Sequence, residues 1–179
     1  MKQDKKQSPV TQRWLEAMNI GQSWAASGDL ARAELSFRQA TRIDPERVES
    51  WVNLGAILLE RGSYQEAVPT LQKARALAPG LGVVHLNLAH AYHLCEQEDE
   101  ALAACRQAVA LSPTPDALNK LGVILRRAGR FDEAQNAFRE ALARNGNHAF
   151  ALVNSATLLL LMGRFTEAAQ ALEMTAGKS

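Results

Sequence analysis

Cysteine is scarce: the chain has two, Cys95 and Cys105, in 179 residues. They form no CxxC pair and no metal-finger spacing, so no disulfide framework is expected. That usage predicts a reducing compartment, and the expected location is cytoplasmic. An excess of one charge is also missing. Twenty basic and 19 acidic side chains leave a formal charge of +1. Binding along a phosphate backbone needs a basic surplus, so no nucleic acid partner is expected. Long apolar runs are absent too. TLLLLM at 157–162 falls far short of the roughly 20 residues that span a bilayer, so no membrane insertion is expected. The opening MKQDKKQSPV has no apolar stretch behind its charges, and no secretory signal is read there.

Catalytic signatures are missing as well. The chain contains no P-loop, no HExxH and no GxSxG. GLGVVH at 80–85 lacks the third glycine and the preceding strand of a dinucleotide fingerprint. His90 and His93 are three apart on one helical face. Cys95 falls on another side and no fourth ligand accompanies them, so no metal and no cofactor are expected. No pair of carboxylates is placed against a base. The sequence predicts a protein that is not an enzyme.

What is present is apolar residue, 47% of the chain, and repetition. ERGSYQEAVPTLQKARALAP at 60–79 lines up with RAGRFDEAQNAFREALARNG at 127–146. A step of 34 residues, once 33, yields five copies beginning at Trp14, Val48, Gly82, Pro115 and Ala149. Position 8 of each copy reads Gly21, Gly55, Ala89, Gly122 and Ala156. Position 20 is alanine throughout: Ala33, Ala67, Ala101, Ala134 and Ala168. Position 24 reads Phe37, Leu71, Cys105, Phe138 and Leu172. Position 15 is glycine in four copies and Glu96 in the third. Proline closes the first three at Pro45, Pro79 and Pro113.

Each copy encodes two amphipathic helices. Positions 4, 7, 8 and 11 share a face at 100° per residue, as do 20, 24, 27 and 28. Glycine at 15 suits a left-handed helix end, and proline at 32 stops the second helix. Such a hairpin cannot bury its own face, so neighbours must stack. The expectation is an all-α fold, a right-handed α-solenoid of five hairpins at 14–47, 48–81, 82–114, 115–148 and 149–176. Polar tails are expected at 1–13 and 177–179, with Met1–Val10 poorly ordered and Ser8-Pro9 able to start a helix extension. Pro69 should bend the second helix of copy two unless it lies in the first turn. Ser155 and Thr175 stand where apolar or small residues belong, which reads as decay of a terminal repeat.

The pattern over 14–176 resembles the tetratricopeptide repeat family. In that family the face made by positions 2, 5, 6, 9, 12 and 13 of each first helix lines a concave groove that holds peptides. Carried onto this chain, the groove residues are Asn19 and Gln22 in copy one, Val52 and Asn53 in copy two, and Leu86, Asn87, His90 and His93 in copy three. Copy four adds Asn119, Lys120, Val123, Arg126 and Arg127; copy five adds Val153, Asn154 and Thr157. Many residues on this face are apolar, which marks a partner surface. Position 6 is asparagine in four copies, Asn19, Asn53, Asn87 and Asn154, with Lys120 in the fourth. A carboxamide matches a peptide group, with one acceptor and two donors. This row resembles the asparagine ladder in the repeats of O-linked N-acetylglucosamine transferases. The family's carboxylate clamp for chaperone tails does not fit: from copy one, Met18, Gln22, Val83 and Asn87 miss its pattern. Arg126 and Arg127 form a basic pair able to meet a carboxylate.

The expected function is therefore a non-catalytic scaffold that holds a protein or peptide partner. Two alternatives stand beside it: a repeat segment of a larger enzyme such as a glycosyltransferase, and a homo-oligomer that stacks through its solenoid ends.

Overall fold

The computed structural model describes residues 8–176, apart from the side chains at 172 and 174–176. The tail positions 1–7 and 177–179, and the side chain of Thr175, lie outside the described residues. All regular structure among the described residues is α-helix, in ten helices. These are α1 (Pro9–Ala26), α2 (Leu30–Ile43), α3 (Val48–Glu60), α4 (Tyr64–Leu77), α5 (Gly82–Leu94), α6 (Glu98–Leu111), α7 (Pro115–Arg127), α8 (Phe131–Arg144), α9 (Ala149–Leu161) and α10 (Phe165–Ala176). The chain forms two compact units, Met1–Gly80 and Leu81–Ser179. In the first, the hairpins α1/α2 and α3/α4 meet through α2 and α3. In the second, α6 packs on α7 and α8 on α9, while α5, α7 and α9 are neighbours in that order.

Local chemistry sets the helix starts. Ser8 caps α1, its Oγ accepting from Thr11 N at 3.2 Å, and Pro9 takes the first helical position, where its missing N–H costs nothing. Residues 9–13 thus extend the first helix. Thr114 and Pro115 repeat the device at α7, with Thr114 Oγ1 accepting from Ala117 N at 3.2 Å. The hairpin turns need a left-handed residue. Gly28, Gly62, Gly129 and Gly163 supply it with φ of 72–81°, and Glu96 is forced to φ 60° in the third hairpin.

The close approach of paired helices rests on position 8. A Cβ on Gly21 would stand 2.6 Å from Phe37 Cε1. On Gly55 it would stand 2.4 Å from Leu71 Cδ2, and on Gly122 2.4 Å from Phe138 Cε1. Copy three carries the opposite pairing, Ala89 with the smaller Cys105, and both are fully buried. In copies one to four glycine accompanies a large residue across the hairpin and alanine a small one; copy five has Ala156 in register with Leu172. The invariant alanines at position 20 are all sealed, at 0–1% exposure. Burying each large position-24 side chain contributes about 1.5–3 kcal/mol.

Pro69 lies in the second turn of α4 on its exposed face, and the helix runs on to Leu77. Two expectations need correction. Ile20, placed in the core by periodicity, is 52% exposed; α1 belongs to the first hairpin, which has only one hairpin stacked on it. Ser155 is not decay. It is buried at 4%, and its Oγ accepts from Gln135 Nε2 at 3.2 Å, a polar tie between α8 and α9.

Two stability outcomes follow. Left-handed backbone costs an ordinary residue about 1–2 kcal/mol. The contact of Glu96 with Arg127, 3.4 Å on an 82% exposed side chain, returns little. Glu96→Gly should therefore raise stability by about 1 kcal/mol in a chemical denaturation curve. Cys105→Phe should overpack copy three and cost about 1–3 kcal/mol. Adding Ala89→Gly should return part of that loss, read as coupling in a double-mutant cycle.

Candidate functional site

Helical spacing sets the inner face of each first helix, and the structure sorts its residues. On α1, Asn19 and Gln22 are exposed, while Met18 on the same face is buried and takes the Ser50 hydroxyl on its sulfur at 3.6 Å. Ser50 in turn receives the Trp14 indole N–H at 2.6 Å, so this end of the face is committed to packing α1 on α3. On α3, Val52 and Asn53 are half-buried and Leu59 is buried. The expectation of a face wholly free of packing fails at Met18 and Leu59.

The second unit presents three such faces side by side. On α5, Leu86, Asn87, His90 and His93 are half-buried. On α7, Asn119, Lys120, Val123 and Arg126 are half-buried, and Arg127 is exposed. On α9, Asn154 is half-buried, while Val153 and Thr157 are exposed. The row of position-6 amides does not act as one set. Asn154 Nδ2 donates to Asn119 Oδ1 at 2.9 Å, which ties α9 to α7 within the wall. Periodicity alone did not pair positions 5 and 6 of adjacent copies.

Charge separates the two arginines that the sequence put together. Arg127 Nε lies 2.7 Å from Glu98 Oε1, and its Nη2 lies 3.4 Å from Glu96 Oε1. It is held at the neighbouring hairpin turn. Arg126 has no carboxylate partner among the described residues, and its Nε is buried without a hydrogen bond. The pair therefore does not act as a single fork. His93 Nδ1 stands 3.5 Å from Glu98 Oε2, so it belongs to the turn as well. Among the described residues, no three His, Cys, Asp or Glu side chains gather as metal ligands.

The floor between α5 and α7 is poorly solvated. Burial, with the Lys120 charge and His93 adding to it, lowers the His90 pKa to about 4. Burial likewise lowers Lys120, against weaker opposing pulls from Cys105 and Asp116. Burial pushes the Cys105 thiol up to about 12, so it is an inert packing group. On α9 the wall is apolar and open. Phe150 is 73% exposed, Val153 51%, Leu160 47% and Leu161 60%. Thr157 turns its hydroxyl onto its own helix, donating to Val153 O at 2.8 Å.

His148 was missed by sequence reasoning. Its Nδ1 accepts from Ala151 N at 3.1 Å and caps α9, which leaves the proton on Nε2 to be donated to Asp116 Oδ1 at 2.9 Å. Its place immediately before the fifth copy was the available signal.

Stacked helical hairpins with a partly unfilled inner face define a helical-repeat protein of the α-solenoid class. The chain belongs to the tetratricopeptide repeat family: models described as tetratricopeptide repeat match residues 18–81, 80–145 and 113–176. Repeats of this family are protein-interaction modules, and that coarse role comes with membership. Cellulose synthase 1 operon protein C of Komagataeibacter xylinus is 28% identical over 164 residues, 82% of this chain and 12% of that protein. Protein O-mannosyl-transferase TMTC1 of Homo sapiens is 26% identical over 190 residues, 84% of this chain and 21% of that protein. The chain thus spans only an eighth to a fifth of the length of these relatives. A crystal structure of MamA superposes with a TM-score of 0.79 at 22% identity, covering 94% of this chain and 92% of that one. It is alike in fold. No helix among the described residues is long and apolar enough to cross a membrane.

The depressed His90 pKa has a pH consequence. The unfolded chain takes up the proton near pH 6.5, the folded one only near 4. Stability is full above about 6.5 and falls as pH drops from there towards 4. Thermal melts between pH 7.5 and 4.5 should show that loss, and His90→Gln should flatten it.

Proposed function

We propose that this chain is a non-catalytic scaffold whose first-helix faces hold a segment of a protein partner. The observation that carries the reading is the inner wall of the second unit. An open apolar strip on α9 lies beside half-buried polar groups on α7 and α5, and a self-sufficient surface has no use for that combination. Asn87 supports it further. It is half-buried and makes no side-chain hydrogen bond to another described residue, so its carboxamide is open to a partner's backbone. Groups of this kind suit an extended or helical segment laid across a groove.

A second reading makes the chain the repeat segment of a larger enzyme. Its support is the alignment with about a fifth of an O-mannosyl-transferase. Coding sequence for a catalytic domain in the same reading frame would favour it.

The scaffold reading is tested by a photo-crosslinking residue placed at Asn87, at Val153 or, as control, at the exposed Lys73 of α4. Partner adducts in the source cells should form from the first two positions and not the third. Adducts absent from both wall positions, or equally strong from Lys73, would remove the reading. Asn87→Ala should leave the melting curve nearly unchanged while adduct yield at Val153 falls.

A further inference from the structure

Resting on the scaffold reading, the inference concerns what the partner segment carries. Six basic side chains among the described residues are half-buried: Arg38, Arg47, Lys120, Arg126, Arg130 and Arg164. Four are matched to carboxylates. Arg38 lies 2.7 Å from Glu34, Arg47 3.2 Å from Asp44, Arg130 2.6 Å from Glu133 and Arg164 2.6 Å from Glu167. Lys120 and Arg126 have no such partner, and both stand on the inner wall of α7. The nearby Asp116 carboxylate is engaged by His148. A half-buried cation gives up water without a counter-charge in return, and folded proteins rarely leave a buried N–H unpaired.

Position gives the cations a common use. Asn119 bonds Asn154, which fixes the edge of α7 that faces α9. Seven residues on, two helical turns, Arg126 stands on that same edge and Leu161 at the matching height of α9. Lys120 stands on the opposite edge, close enough to influence His90 on α5. The cations therefore flank Val123, and Val153 and Leu160 stand open on α9, the next helix of the same wall.

We propose that this wall takes an acidic, amphipathic peptide segment. Its carboxylates answer Lys120 and Arg126, and its apolar side chains cover the strip on α9. A free phosphate or a nucleic acid backbone would answer the cations and leave the strip bare. An uncharged apolar segment would cover the strip and leave the cations unmatched. Only an occupant with both features satisfies the wall.

The test uses the full chain, immobilised, and a phage-displayed library of random dodecapeptides. Selected peptides should combine Asp or Glu with Leu, Ile, Phe or Trp. The best synthetic peptide should lose about tenfold or more in affinity to the variant Lys120→Gln with Arg126→Gln, and its salt dependence should shrink. Both substitutions remove an unmatched charge, so circular dichroism should match the parent. A peptide still bound by that variant but lost to Val153→Lys would keep the scaffold and overturn the acidic partner. So would selection of basic or uncharged peptides. A library with no binder at all would overturn scaffold and inference together. A concentration-dependent dimer broken by Val153→Lys would put a second copy on the strip and overturn the acidic segment.

Discussion

The structure depends on how closely the two helices of a hairpin approach. That approach is set by one contact, between the small residue at position 8 of the first helix and the large residue at position 24 of the second. Protein interiors are packed near crystal density, so an added methyl has nowhere to go. Opposite Phe37, Leu71 and Phe138 only glycine fits, as Gly122 does against Phe138. Where cysteine stands there, alanine restores the volume, as Ala89 does. The alanines at position 20 press the same seam from the other helix. Because each seam is closed, the first helix of every hairpin turns its remaining face away from its own partner.

Ion pairs act on a second level. In the first unit, burial raises the Glu34 pKa, but hydrogen bonds from Arg38 and Arg61 outweigh it and hold the carboxyl below its usual value. Arg38 also reaches Glu66 at 2.6 Å, so one cluster joins α2, α4 and the end of α3. In the second unit, Arg127 closes a similar link to Glu96 and Glu98. These contacts join successive hairpins and, of the cations on the inner face of α7, take up only Arg127. The wall of α7 thereby keeps two cations that no carboxylate among the described residues has taken up.

The wall also shows where inference from spacing stops. A helical wheel groups residues onto a shared face, because 100° per residue is a local property of the backbone. It could not say how much of that face another hairpin would cover. Met18 falls on the face and is buried, because α1 packs against α3 there through Trp14 and Ser50. Asn154 was one of a row of identical amides, but only its bond to Asn119 shows that it helps build the wall. Ser155 looked like a lapse in the pattern until Gln135 appeared across from it.

Helix limits, turn positions, the repeat length and the tight seam were all written in the order of residues. Each depends on neighbours within one hairpin, and the chain carries that information locally. Tertiary structure alone decided which of two adjacent arginines on α7 was matched. Arg126 and Arg127 are adjacent in sequence and equivalent in chemistry. They differ because a helix turns them 100° apart, and only one direction meets carboxylates from about 30 residues earlier. Pairs three or four residues apart, such as Arg130 with Glu133, are encoded by helical spacing, but the pairing of Arg127 is a matter of distance in space.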